Sequence, residues 1–116
     1  MREPTFWILT VLASEPHHGY GLIREAGKLS GGRVTLQAGT LYAALDRLCA
    51  EGLVEPDRQE IVDGRARRYY RLTDDGARVL SEESARLQAS ADAAQAQLAA
   101  RRRFGLGNAT AGLVIP

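Results

Sequence analysis

The 116-residue sequence contains a single cysteine, Cys49, and no apolar run that approaches the length of a membrane span. One thiol excludes an internal disulfide and suits a reducing compartment. A transmembrane helix needs about 18 or more consecutive apolar residues, and the start of the chain lacks the basic and then apolar pattern of a signal peptide. We therefore expect a cytoplasmic protein without a membrane partner.

The sequence also lacks the residue arrangements on which most enzymes depend. No Ser-His-Asp or Cys-His combination, phosphate-binding glycine loop or cluster of metal ligands is recognisable. The adjacent His17 and His18 are poor candidates for a metal site because neighbouring side chains diverge and no carboxylate lies at ligand spacing. A chain of 116 residues forms one domain with a modest core. We therefore expect neither an enzyme nor a bound metal or cofactor.

Lysine is nearly absent, since Lys28 is the only one, and arginine carries almost all the positive charge. The formal net charge is only +1, but the arginines concentrate in two segments, residues 65–71 and 101–103. The distribution of charge is therefore more informative than its sum.

The first segment, residues 3–14, is apolar almost throughout and opens with Pro4, a residue that the first helical turn accepts. We predict a helix that ends before Pro16, because the residue preceding a proline avoids the α conformation. Apolar residues, including Phe6 and Trp7, cover nearly its whole circumference, so the helix must be covered on more than one side. This need is a first indication of a dimer.

A second helix is predicted over residues 20–29, with Leu22, Ala26 and Leu29 as its core face. Ser30-Gly31-Gly32 ends it, because glycine readily adopts the left-handed conformation found after helices. His17-His18 is predicted to be a connector before this helix, and residues 33–36 a short strand after it.

The stretch Gln37–Gly52 is predicted to be a helix that buries Leu41, Leu45 and Leu48 on one face. Its other side carries small or hydrogen-bonding residues near the start, so a partner can approach the backbone closely. Such a helix, with a basic residue one or two turns in, fits a DNA major groove. Taken alone, the pattern also describes an ordinary amphipathic helix. The expected DNA-contacting residues here are Gln37, Gly39, Thr40, Tyr42, Ala43 and Arg47.

Residues 53–72 predict a β-hairpin with Asp63-Gly64 at its turn. In the return strand, residues 65–72, Tyr70 and Leu72 are expected to pack inward while the arginines near the turn stay in solvent. Arg65, Arg67 and Arg68 follow the turn without an intervening acid and therefore suit contacts with phosphate groups. A solvated basic hairpin without a partner is the alternative interpretation.

Thr73 is predicted to cap a long helix over residues 74–103, with Asp74 and Asp75 at its positive end. Apolar and small residues recur along it in steps of three and four, which is a heptad seam and indicates pairing with a second copy. Because small residues bury little area, we do not expect this helix to be stable alone. The expected dimer interface comprises Phe6, Trp7, Leu80, Leu87, Ala91, Ala94 and Leu98.

Small side chains on this seam leave room beside the aromatic first helix, which suits a flat apolar ligand close to Trp7 and Ser84. The alternative is that Trp7 simply fills the dimer core. Residues 104–116 show no periodicity and are predicted to be a flexible tail.

The order of these elements is that of a winged helix-turn-helix, a mainly α fold with a small β-hairpin, followed by a C-terminal dimerisation helix. We divide the chain into a DNA-binding domain (1–73), a dimerisation helix (74–103) and a tail (104–116). Three blocks, HGYGLIREA, GTLYAALDRLCAEGLVE and DGRARRYYRLTDDG, closely resemble those of PadR-like transcriptional regulators. The resemblance covers about residues 4–87 and is strongest to the smaller, homodimeric subfamily with one C-terminal helix.

The resemblance implies a dimeric repressor whose central helix reads operator DNA in the major groove and whose wing touches the backbone or minor groove. Residues 39–42 match the family's GTLY, in which Leu41 belongs to the core while Thr40 and Tyr42 are the expected DNA contacts. Residues 67–70 match its wing. The proline that is usual at position 38 or 43 is alanine here in both places. Relatives often respond to small aromatic or drug-like molecules, which implies such an effector. The competing hypothesis is a winged-helix module whose basic wing binds an acidic protein.

Overall fold

The computed structural model describes residues 1–105, and the predicted tail beyond Gly105 lies outside the described residues. A mainly helical chain with a small antiparallel sheet confirms the predicted fold class. The elements in chain order are α1 (Glu3–Ser14), β1 (His17–His18), α2 (Gly19–Leu29), α3 (Ala38–Ala50), β2 (Val54–Val62), β3 (Arg65–Leu72) and α4 (Asp74–Arg103).

Leucine and isoleucine side chains from the first three helices form the centre of the core. Ile8 and Leu9 of α1, Leu22 of α2, and Leu41 and Leu45 of α3 are fully buried. Each fully buried side chain of this size stabilises the fold by about 1.5–3 kcal/mol relative to its exposed state. The predicted buried face of the central helix is thereby confirmed.

Most of the apolar surface of α1 is covered within the single chain. Val11 and Leu12 are almost completely buried, whereas Phe6 and Trp7 at the start of the helix are half-buried. The breadth of its apolar face therefore reflects mainly burial by the chain's own elements, and only its first turns keep apolar surface for a further partner.

Helices α2 and α3 both end in glycine turns, as Gly31 and Gly32 predict for α2. After α3, Gly52 has φ of 76°, and the amides of Gly52 and Leu53 donate to the carbonyls of Cys49 and Leu48. This pairing is the Schellman arrangement, which satisfies the last carbonyls of a helix. After α2, Gly31 and Gly32 make the equivalent turn.

Two details of this region differ from the sequence prediction. The prediction of Leu29 as a core residue is wrong: it is the last residue of α2, and its side chain is 54% exposed although Ala26 in the same turn is fully buried. Residues 33–36 form no strand: Val34 and Leu36 are buried, and the Val34 amide donates to the hydroxyl of Ser30 rather than to a neighbouring strand.

The third strand of the sheet is instead β1, the segment predicted to be a connector. The strand order is β1-β3-β2, with His17 opposite Tyr70 and His18 opposite Tyr69. Two residues carry no periodicity of their own, so this strand is defined by the free edge of β3. The pairing attaches the start of α2 to the base of the hairpin.

The hairpin has the predicted two-residue turn. Asp63 and Gly64 have φ of 51° and 76°, and Val62 lies opposite Arg65. A positive φ at both central residues is the type I′ geometry that matches the twist of antiparallel strands. The polar segment in the middle of β2 does not interrupt the strand, but an irregularity between Pro56 and Gln59 shifts the register there.

The start of α4 is fixed by Thr73 and Gly76. The Gly76 amide donates to the Thr73 hydroxyl at 3.0 Å, which confirms the predicted N-cap, and the same hydroxyl donates to the Gly52 carbonyl at 2.7 Å. Gly76 is buried, and a Cβ at this position would collide with the carbonyl oxygen of Leu53. Only glycine allows this close approach.

The chain separates into two units, Met1–Glu82 and Glu83–Pro116, with the boundary inside α4. The first unit contains the whole winged helix-turn-helix and the first turns of α4, including Leu80, which packs against the core. The predicted functional division at residues 73/74 stays a prediction. Within residues 1–105 no helix is both long and apolar enough to cross a membrane.

Candidate DNA-binding surface

The exposed side of α3 carries nearly all the predicted contact residues of the central helix. Burial of Leu41, Leu45 and Leu48 fixes the rotation of the helix, so its small and polar residues face solvent. Exposed in this way are Gln37, Gly39, Thr40, Tyr42, Ala43 and Arg47.

The amino-terminal end of α3 is open to an anionic partner. No acidic residue lies in its first turn, and the side chain of Gln37 makes no capping hydrogen bond. The first helical backbone bond runs from the Leu41 amide to the Gln37 carbonyl, so the amides of residues 38–40 have no helical acceptor. Such amides, with the positive end of the helix dipole, favour a phosphate group.

Tyr42 lies against the start of α2 at Gly19, where the tyrosine hydroxyl takes the space that a Cβ would fill. A Cβ on Gly19 would overlap the Tyr42 hydroxyl, so the absence of that carbon lets the tyrosine ring rest across the helix start. Tyr42 nevertheless remains 48% exposed. The contact joins the HGY block to the GTLY block.

Arg47 makes two contacts within the protein. Its Nη2 donates to the hydroxyl of Thr5 in α1 at 3.0 Å, and its Nη1 lies 3.3 Å from Glu51. The side chain is half exposed. It therefore lies at the edge of the α3 surface on the side of α1, and a base contact requires it to leave these partners.

The β2–β3 hairpin, which is the wing of the fold, carries the other predicted DNA contacts, and its tip is the region around the turn. Arg65 and Arg68 are exposed and Arg67 is partly exposed. Throughout residues 1–105, none of the three guanidinium groups lies within ion-pair distance of a carboxylate, whereas Arg58 and Arg71, further from the turn, are both paired. The wing tip therefore has free positive charge for an anionic partner.

An open groove of about 860 Å³ separates the start of α2 and Tyr42 from the wing. The tip arginines line one side, and Tyr20 lines the other with 79% of its surface exposed. His18 also lines the groove; burial, followed by the positive charges of Arg67 and Arg24, lowers its pKa, and its Nδ1 accepts from the Gly21 amide.

Sequence reasoning missed Tyr20 and His18. The HGY block contains both, but an exposed helical tyrosine next to a two-residue strand gives no periodic signal. Their place beside the groove follows from the pairing of β1 with β3.

The predicted dimer and ligand residues fall into both units. In the first, the rings of Phe6 and Trp7 meet edge to face with centroids 5.3 Å apart, and the guanidinium of Arg33 lies 5.9 Å from the Trp7 centroid. In the second, Ser84 is exposed, as are Leu87 and Leu98 at 42% and 44% and the intervening Ala91 and Ala94.

The described residues contain no group of three or more histidine, cysteine or acidic side chains that would hold a metal ion. Cys49 is half-buried against the core, and burial raises the pKa of its thiol, which disfavours the nucleophilic thiolate.

The sequence model of the transcriptional regulator PadR-like family matches residues 8–82. The chain belongs to this family. It is 43% identical over 81 residues to the transcriptional regulator Rv3488 of Mycobacterium tuberculosis, a match that covers 70% of this chain and 72% of the relative. Members of the PadR-like family are transcriptional regulators and not enzymes, in agreement with the missing catalytic motifs.

Solved structures of PadR-like regulators have the same fold. A family member from Eggerthella lenta is 32% identical with a TM-score of 0.62, and the match covers 78% of this chain and 80% of that one. Bacillus subtilis PadR, solved in complex with operator DNA, has a TM-score of 0.62 at 24% identity, over 70% of this chain and 47% of that one. This second likeness concerns the fold.

Proposed function

We propose that this PadR-like regulator is a homodimeric repressor that binds operator DNA through α3 and the wing. The observation that carries the proposal is that Tyr42 of α3 and the wing-tip arginines, which form no ion pair within residues 1–105, line one open groove, and that the start of α3 before Tyr42 is exposed. A B-DNA major groove of about 12 Å admits one α-helix, while flanking phosphates attract free cations.

In this arrangement the residues have separate roles. Thr40, Tyr42 and Ala43 face the base edges, and the amides at the start of α3 face a phosphate. Arg65, Arg67 and Arg68 contact the backbone beside the groove, where they supply affinity without sequence preference. Gln37 and Gly39 permit close approach at the start of the helix.

A dimer supplies the second half-site. Leu87 and Leu98 expose more than two fifths of their surface on one face of α4, which supports pairing with another copy. Two copies of α3 then meet successive major grooves about 34 Å apart on the DNA. A small aromatic effector near Trp7 relieves repression by favouring a different spacing of the two α3 helices. We place the protein in the cytoplasm with its DNA.

The decisive experiment is a footprint on the DNA that flanks the protein's own gene, followed by titration of the protected duplex and a scrambled duplex at several salt concentrations. We expect a protected, pseudo-palindromic site. Single alanine variants of Arg65, Arg67 and Arg68 should lower the affinity for both duplexes by the same factor. The slope of log K against log salt should fall by about 0.9 for each phosphate that the variant no longer neutralises.

Arg78→Ala is the matched control, because it removes the same charge from an arginine already paired with Glu82. Unchanged slopes in all three wing variants would remove the wing from the DNA. Equal affinity of the wild type for every duplex, together with capture of an acidic protein by the wing, would favour the protein-interaction module.

A further inference from the structure

In the wing, Glu60 lies where its carboxylate can form an ion pair with Arg67, one of the tip arginines that has none. In the cross-strand register, Glu60 lies directly opposite Arg67, whereas Arg65 and Arg68 lie opposite the neutral Val62 and Gln59. Directly opposed side chains on antiparallel strands have Cβ atoms only about 4.5–5.5 Å apart, and opposite charges there attract. Of the three tip arginines, Arg67 is therefore the one with an acidic neighbour to capture it.

Glu60 is held by other partners. The Nε of Arg58 lies 3.1 Å from Oε1 of Glu60, and the hydroxyl of Tyr69 donates to Oε2 at 3.2 Å. The guanidinium of Arg58 also stacks over the Tyr69 ring, 3.9 Å from its centroid, so the two partners fix each other. Each carboxylate oxygen thus accepts a hydrogen bond from one of these partners, whereas Arg67 forms no ion pair with any described residue.

The Glu60 carboxylate responds to these contacts. The hydrogen bond from Arg58, then that from Tyr69, lower its pKa, with a smaller contribution from the charge of Arg67. Glu60 is therefore ionised at neutral pH and carries its negative charge directly opposite Arg67.

The ring of Tyr69 also packs against a residue of β1, the third strand of the sheet. His18 of β1 meets the Tyr69 ring edge to face, with centroids 5.2 Å apart. These contacts connect residues of all three strands, from His18 in β1 through Tyr69 in β3 to Glu60 in β2. Arg67, which lies opposite Glu60, takes no part in them.

We propose that Arg58 and Tyr69 are positioning residues that hold Glu60 away from Arg67 and thereby keep Arg67 available to the DNA backbone. Neither residue contacts DNA in this role. The inference rests on the proposed function, because it concerns how the wing keeps its affinity for duplex. It also accounts for a wing that carries several acids yet presents unpaired arginines at its tip.

The test is a set of coupled variants measured on the footprinted duplex. In Arg58→Ala, Glu60 is released and pairs with Arg67, so affinity should fall roughly tenfold for each subunit bound, as expected when one charged hydrogen bond per subunit is removed. The salt slope should fall by about 0.9 for each phosphate that Arg67 no longer neutralises. Arg58→Ala combined with Glu60→Gln should restore both quantities, since glutamine has no charge to capture Arg67.

Arg67→Ala supplies the second half of the cycle. In that background Arg58→Ala should change affinity by no more than roughly twofold, the usual tolerance for independent sites. Tyr69→Phe removes only the hydroxyl that holds Oε2, and should produce a smaller decrease in affinity that Glu60→Gln again reverses. Thermal melting of each variant establishes that it is folded, and Tyr69→Phe serves if Arg58→Ala is not.

Two results would overturn the inference while leaving the proposed function intact. If Arg58→Ala weakens binding equally in the wild-type and the Glu60→Gln backgrounds, Arg58 contacts DNA itself. If Arg58→Ala and Tyr69→Phe leave affinity unchanged while Arg67→Ala lowers it, Glu60 does not compete for Arg67. Failure of the wild-type protein to bind any duplex would instead overturn the proposed function.

Discussion

Gly19 shows how the absence of one carbon atom positions a candidate DNA contact. A Cβ at this residue would meet the Tyr42 hydroxyl, which is the far end of a side chain and not backbone. The fold can therefore absorb the extra atom by moving the tyrosine ring. The displaced group is one of the residues proposed to face the bases.

We expect Gly19→Ala to weaken operator binding with little loss of stability, because it displaces Tyr42 without opening the core. In a Tyr42→Ala background the same change should have no further effect on affinity. Gly27→Ala is the control: nothing lies within 4 Å of its Cβ, and replacing a helical glycine by alanine should stabilise α2 by about 0.5–1 kcal/mol. Equal operator affinity of Gly19→Ala and Gly27→Ala would contradict this role of Tyr42.

Arg47 is the predicted contact whose surroundings differ most from expectation. Helical spacing places it on the outer face, and it is half exposed, but spacing does not reveal that a long side chain reaches back to Thr5. Thr5 is buried, so the contact also satisfies a hydroxyl that water reaches poorly.

Arg47→Ala should lower the affinity for operator more than for scrambled duplex if the guanidinium leaves Thr5 to read a base edge. Such a contact discriminates between bases by about 1–3 kcal/mol. Thr5→Val keeps the shape of the side chain but removes the hydroxyl that accepts from Arg47. This variant therefore measures the effect of freeing the Arg47 side chain, whereas Arg47→Ala measures the effect of removing it. An equal decrease on both duplexes would assign Arg47 to the phosphate backbone.

At the scale of elements, the sequence predicts what local chemistry determines. The helical periodicity of α3, the glycines after α2 and the Asp63-Gly64 turn are each decided within a few residues, and each is found in the structure. The strand β1 could not be predicted, because two residues acquire strand geometry only through the edge of β3. The groove between α2 and the wing follows from the same pairing, which is why sequence reasoning misses Tyr20.

The contacts at the junction between the wing and α4 contribute to the free energy of unfolding, and two substitutions measure that contribution. Thr73→Ala removes the N-cap and should destabilise the fold by about 1 kcal/mol. Gly76→Ala should destabilise it by more than Thr73→Ala, because its Cβ meets the backbone carbonyl of Leu53, which cannot move aside as a side chain can. Urea unfolding measures both free energies. A Gly76→Ala variant as stable as the wild type would refute the close approach at this junction.

At the scale of the whole molecule, the question is whether two chains pair. The buried residues of α1 are satisfied within one chain, so the argument for a dimer now depends on the exposed leucines of α4 and on the half-buried Phe6 and Trp7. Leu87→Glu places a charge on the seam and should yield monomers in sedimentation experiments.

Ala89→Glu is the matched control, because residue 89 lies about 200° around the helix from residue 87 and is also open to solvent. We expect it to remain dimeric and to bind operator. If Leu87→Glu proves to be a dimer as well, or if the wild type is monomeric at micromolar concentration, the symmetric arrangement is wrong.

The effector site is the last consequence of the proposed dimer. Trp7 is the only tryptophan, so its fluorescence reports on one place in the molecule. Its indole Nε1 donates to Glu3 at 3.4 Å, and Glu3 also binds Arg33 at 2.7 Å in the segment between α2 and α3. A flat aromatic ligand that stacks on Trp7 should quench its emission and displace Arg33, which precedes α3 by a few residues.

Such a ligand weakens operator binding only if it prefers a different dimer geometry. Because linkage is reciprocal, operator DNA must then lower the affinity of the protein for the ligand by the same factor. A titration of small planar aromatics should therefore follow tryptophan emission with and without operator, with free tryptophan as the control for absorption by the ligand. Quenching that operator leaves unchanged would establish a pocket without a switch. If no compound quenches Trp7, a ligand pocket beside it is refuted, and the ring instead fills the dimer core.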